Sequence, residues 1–139
     1  MGWFVYACVS AVAAALTAIL AKIGVEGVPS NLATAVRTVV VCVFAWAIVL
    51  AAGDHRALPA MSRRSLWFLV LSGFATGISW LAYFRALQLA PASRVAPIDK
   101  LSLPMTIVLA AVILGEAVGW RLAAGVALMT AGALLTLNG

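Results

Sequence analysis

Lys22, Arg37, Arg85, Asp99 and Lys100 stand inside runs that are otherwise apolar. An ionised side chain in hydrocarbon is costly. Such residues normally face a bundle interior or a wet cavity and mark the path of a solute, ion or proton. Helical rise places Arg37 and Lys100 roughly 7 Å from the membrane midplane, where a lined cavity is expected. Lys22 and Arg85 lie nearer one edge, within reach of snorkelling. Asp99 is the internal partner available to Arg37, Arg85 or Lys100, and a purely structural ion pair is the alternative reading. Four cations beside one anion would suit an anionic or zwitterionic passenger.

A second group could contact a solute. Ser72, Thr76, Ser79 and Tyr83 recur at one helical face, and four hydroxyls on one stripe need partners or water. Beside them run Gly73, Gly77, Trp80 and Phe84; the glycine pair fits close helix contact, and Trp80 could line the same site. Asp99, Ser102 and Thr106 share another face. Pro104 has no N–H for the carbonyl of Lys100, so the helix is expected to bend there and leave an acceptor free. Broken helices near the midplane often border transporter sites. Gly125, Met129, Gly132 and Thr136 share a face that reads as a helix-packing or dimer surface.

Other chemistries find little footing. No nucleophile with a base and an orienting group is present, and neither is a metal-ligand spacing or a phosphate loop, so no enzyme activity, metal or cofactor is expected. Cys8 and Cys42 lie within apolar runs and read as packing residues. The single histidine, His55, reads as a solvated loop residue. A net charge of +5 does not imply nucleic acid, because the basic residues are spread between apolar runs and form no stripe.

These residues must be held by elements that suit lipid. Of 139 residues, 65% are hydrophobic and only 9% charged, and the mean hydropathy is +1.15. Soluble domains carry about 25% charged residues, so this chain could not cover a water-exposed surface. Five apolar runs follow, at about residues 3–25, 31–52, 66–89, 95–114 and 120–137. Each is long enough for a helix to cross a hydrocarbon core about 30 Å thick. Arg37 costs the second run about 2.5–3.5 kcal/mol, which its ten Leu, Ile, Val and Phe residues offset at about 0.3–0.6 each. The first run follows no basic segment and exceeds a signal-peptide core, so it reads as a retained span. The fold class is all-α, a polytopic membrane protein forming one domain over residues 1–139.

Orientation comes from the loops. With the N-terminal face called side A, Arg56, Arg63, Arg64 and Arg121 fall on side A, against Lys22 and Arg94 near the opposite face, side B. That balance favours side A in the cytoplasm of a plasma (inner) membrane, with the N-terminus inside. Trp3, Trp67 and Trp120 fall at the side A ends of three spans, as an interfacial belt requires.

The stretch from Trp80 to Pro104, with Tyr83, Arg85, Pro91-Ala92-Ser93, Pro97 and Asp99-Lys100, resembles the EamA family of the drug/metabolite transporter superfamily. Leu114-Gly115-Glu116, Gly125 and Gly132, Ala21-Lys22-Ile23-Gly24 and Asn31 to Thr38 extend the likeness along the chain. The nearest pattern is that of single-repeat, five-helix bacterial and archaeal members. The resemblance implies half of a ten-helix unit, in which two inverted repeats enclose a cavity and export amino acids, metabolites or drugs. Two copies, or a homologous partner subunit, would then be needed. Small multidrug members use a glutamate in the first helix, and the first run here has no acid.

The expectation is a membrane transporter exporting small metabolites, such as amino acids or other zwitterionic or anionic solutes, and working as a dimer in the lipid bilayer. The alternatives are a lipid-linked metabolite flippase and a non-transporting membrane subunit.

Overall fold

A computed structural model describes residues 2–137, and every regular element among them is helical. The elements are α1 (Gly2–Gly24), α2 (Ser30–Ala52), a 3-10 helix (Asp54–Ala60), α3 (Arg63–Leu89), α4 (Ala92–Asp99), α5 (Ser102–Leu109), a π-helical turn (Ala110–Leu114) and α6 (Trp120–Leu135). Among the described residues, four segments are long and apolar enough to cross a membrane: Gly2–Gly24, Ser30–Ala52, Arg63–Leu89 and Ala92–Leu114. The last helix is apolar but shorter, with 16 residues. The chain is a polytopic membrane protein of about five helices.

Local chemistry accounts for the boundaries. Helix α3 begins three residues before the expected span because Ser62 caps it: the Ser65 N–H donates to Ser62 Oγ at 3.0 Å, a contact typically worth about 1 kcal/mol. Helix α2 stops at Gly53, whose φ of 80° is left-handed and lets its N–H turn back to the carbonyl of Leu50. The polar segment after it is not an open loop. It forms the 3-10 helix, and His55 is half-buried there, with Nδ1 facing no partner among the described residues. Pro91-Ala92-Ser93-Arg94 opens α4 instead of merely closing the previous span, since Pro91 supplies the carbonyl that accepts from Arg94 and Val95.

The fourth span differs most from expectation. It is broken at Lys100 and Leu101, between α4 and α5. Pro104 thus stands in the first turn of α5, where a missing N–H costs little. The carbonyl of Lys100 is not left free, because the Leu103 N–H donates to it at 3.0 Å. Shortening the bond pattern from i−4 to i−3 recovers the acceptor that proline strands. At the other end, Gly115 (φ 71°) reverses the chain, and the Glu116 N–H closes on the carbonyl of Ala110.

The chain divides into two compact units, one of Met1–Ile19 with Ala90–Gly139 and one of Leu20–Leu89. In the first, α6 packs against α4 and α5. Its inward stripe runs through Val126, Thr130 and Ala133, of which Ala133 is buried. In the second, α2 packs on α3, but only over their side B halves. Val25, Thr34, Phe84 and Leu87 are buried there, Leu87 completely (0% exposed), while Phe44, Trp46, Phe68 and Phe74 in the side A halves are open.

Candidate functional site

Within the Leu20–Leu89 unit, Arg37 comes from the second turn of α2 and Trp80 and Phe84 from successive turns of α3. The guanidinium carbon of Arg37 lies 4.2 Å from the centroid of the Trp80 ring and 5.5 Å from that of Phe84. A cation over an aromatic face is held by the ring's quadrupole, by about 0.5–2 kcal/mol depending on desolvation. The i, i+4 spacing of the two rings makes this possible, since both project from one face of α3. Arg37 is half-buried, and no carboxylate of its unit pairs with it. The rings attract the guanidinium through its charge, and its N–H groups are donors of the kind that can grip a planar anion.

Two further cations of the unit, Lys22 and Arg85, are engaged differently. Lys22 Nζ donates to the carbonyl of Leu87 at 2.6 Å, placing its charge at the C-terminal end of α3, where orphan carbonyls and the helix dipole favour a cation. Arg85 donates through one terminal nitrogen to Gln88 Oε1 at 3.0 Å, and Gln88 Nε2 donates to the carbonyl of Val28 at 2.6 Å. Arg85 is otherwise exposed.

The hydroxyls are partly spent. Thr76 donates to the carbonyl of Ser72 at 2.9 Å, Thr34 to Ser30 at 2.9 Å and Thr38 to Thr34 at 2.8 Å. A threonine bonded to its own preceding turn has used its proton, and presents lone pairs outward. The stripe Ser72, Thr76, Ser79 and Tyr83 therefore needs fewer external partners than its composition suggests. Tyr83 is half-buried, and Ser72 and Ser79 are exposed.

In the other unit, the carboxylate of Asp99 lies 3.7 Å from Lys100 Nζ, with 40% and 57% of the respective side chains exposed. Both stand at the break between α4 and α5, with Ser102 and Pro104 in the following turn. Thr106 donates to the carbonyl of Ser102.

The structure thus joins Arg37 to Trp80, and Asp99 to Lys100. It does not fill the small-residue faces: at Gly73, Gly77, Gly125 and Gly132 no other element of the same unit comes within 4 Å of where a Cβ would stand. On α6 the packed stripe runs one position away from the two glycines. On α3, Gly73 and Gly77 floor a shallow apolar groove with Val70, Phe74, Ile78 and Leu81. Two participants were not singled out from the sequence as site residues. Phe84 shares the Trp80 stripe and could have been found by that spacing. Gln88, an amide three residues after Arg85 near a span end, carried only the weak signal of an i, i+3 pair.

Residues 1–138 match the EamA-like transporter family. The chain is also 51% identical over 134 residues to a Sinorhizobium protein described as an uncharacterized transporter in the cobO 3' region, covering 96% of this chain and 94% of that protein. No solved structure matches.

Proposed function

Because the chain belongs to the EamA-like transporter family and is a membrane transporter, we propose that it carries small zwitterionic or anionic metabolites, amino acids among them. The observation that carries this reading is Arg37, stacked on Trp80 inside a membrane span with no carboxylate of its own unit to neutralise it. A fixed, planar, half-buried guanidinium is suited to a carboxylate, which two parallel N–H donors can grip. Threonine oxygens whose protons are already spent would accept from an ammonium group, so a zwitterion finds both complements. Lys22, Arg85, Asp99, Lys100, Ser102, Ser72, Ser79, Tyr83 and Pro104 belong, in this reading, to the rest of the path.

The carrier works as an exporter in the inner membrane, with the N-terminus in the cytoplasm, and as a dimer with a second copy or a homologous subunit. The open glycine faces of α3 and α6 support that arrangement, since glycine lets helix backbones approach closely in lipid.

Purified protein in liposomes, offered amino acids, organic acids and a lipid phosphate, tests the proposal. A carboxylated solute should accumulate, and Arg37→Ala should lower its uptake at least about tenfold, the loss expected for a charge-assisted contact. Uptake that is unchanged in R37A, or movement of the lipid phosphate alone, would overturn it.

A further inference from the structure

The side B end of the Leu20–Leu89 unit is tied shut by Lys22, Gln88 and Arg85, of which the transport reading places Lys22 and Arg85 along the path and leaves Gln88 unassigned. Lys22 reaches from α1 to the last turn of α3, at the Leu87 carbonyl. Gln88, the next residue, reaches from α3 to the carbonyl of Val28, in the turn between α1 and α2. Arg85 holds the other end of the Gln88 amide. The turn itself bends at Gly27, whose φ of 71° lies in the left-handed region. Beneath these bonds are Val25, Thr34, Phe84 and Leu87, the best-buried side chains of the unit. Arg37 follows Thr34 by three residues and touches Phe84.

We propose that Lys22 and Gln88 form a latch closing the side B end of this unit over the Arg37 site, and that it must open for a solute to pass that way. The inference rests on the carrier reading for its purpose but not for its measurement. The Val28 and Leu87 carbonyls are the fixed half of the latch, and the two side chains are the half that lets go. Gln88 suits this task, because its amide is anchored at Oε1 while Nε2 donates across. A glutamate there could still accept from Arg85 but could not donate to Val28.

The test uses one reporter thiol in the full chain. Cys8 and Cys42 are replaced by alanine, Thr34→Cys is introduced, and an impermeant maleimide is applied to right-side-out and inverted membrane vesicles with no solute added. A maleimide needs a wetted thiolate, so labelling reports the opening of this end. With Lys22 and Gln88 intact, labelling should be slow. Gln88→Glu and Lys22→Met should each speed it about five- to tenfold from side B, the factor expected for one lost hydrogen bond, whereas Lys22→Arg should keep it slow. Equal rates in all four proteins would overturn the latch.

Should Q88E or K22M fail to insert, a Val28→Cys, Gln88→Cys pair in the cysteine-free chain decides instead. It should cross-link on oxidation, and absence of a cross-link would equally sink the proposal. Faster labelling in a protein that moves no solute would leave the latch standing and remove the carrier reading.

Discussion

Arg37 and Trp80 come from different helices, and the guanidinium carbon of the first stands 4.2 Å above the ring of the second. The contact helps to hold α2 on α3 and also orients a charge, and the two roles can be separated. Replacing Trp80 with Phe keeps an aromatic face, so the loss of stability should stay below about 0.5 kcal/mol. Replacing it with Leu removes the face and should cost about 1 kcal/mol more. Thermal unfolding in one fixed detergent measures both. Arg37→Lys should be nearly as stable as the parent yet bind carboxylates much more weakly, since an ammonium cannot present two parallel donors.

Glycine plays two opposite parts, and substitutions should separate them. Gly115 reverses the chain at φ 71°, so Gly115→Ala should destabilise by about 1 kcal/mol even though there is space for the methyl group. Gly77→Ile should leave the unfolding of the isolated chain nearly unchanged, because the position is open. If the α3 groove receives a second copy, the same change should abolish the dimer seen by in-membrane cross-linking. A dimer that survives Ile at both Gly73 and Gly77 would place the interface elsewhere, with the α6 face as the next candidate.

Asp99 and Lys100 are neighbours in sequence and both exposed. Such pairs contribute between zero and about 1 kcal/mol. Asp99→Asn should accordingly shift unfolding by less than about 0.5 kcal/mol. A large drop in transport without that shift would assign Asp99 to the solute path. A large drop in stability would instead support the structural pair.

Pro104 gives the fourth expectation. A proline inside a continuous helix costs about 3 kcal/mol relative to alanine. Here the helix restarts at Ser102, so Pro104→Ala should change stability by less than about 1 kcal/mol. Hydrogen exchange of the amides at 101–104 would show whether the break persists in P104A. Strong new protection across Lys100 and Leu101 would mean that Pro104 itself creates the break.

The spans were legible because each is a long apolar run, and the bilayer permits few ways to satisfy its backbone. Their ends shifted where capping chemistry intervened. Ser62 draws α3 three residues outward, and Pro91 opens α4 within what reads as a loop. The intramembrane charges were equally visible, but their partners were not. Asp99 could have served three cations by composition alone, and its pairing with Lys100 depends on the backbone turning at that residue. The free acceptor expected at Lys100 vanished because a single 3-10 bond from Leu103 costs less than an orphan carbonyl. The Gln88 bridge could not be foreseen, since its acceptor is a main-chain oxygen 60 residues away and any residue type offers one.

The uneven packing of α2 on α3 has a mechanical consequence. Close contact at one end and bare sides at the other make the pair resemble a clothes-peg, with Phe84 and Leu87 at the spring and the stretches around Phe44 and Phe74 as its arms. Swinging the arms breaks almost no buried contact within the unit, whereas parting the spring exposes all of its core. Compliance is therefore concentrated at the end of the pair that holds Phe44 and Phe74, and a force on the arms there has more leverage over this pair than one acting at the end that holds Leu87.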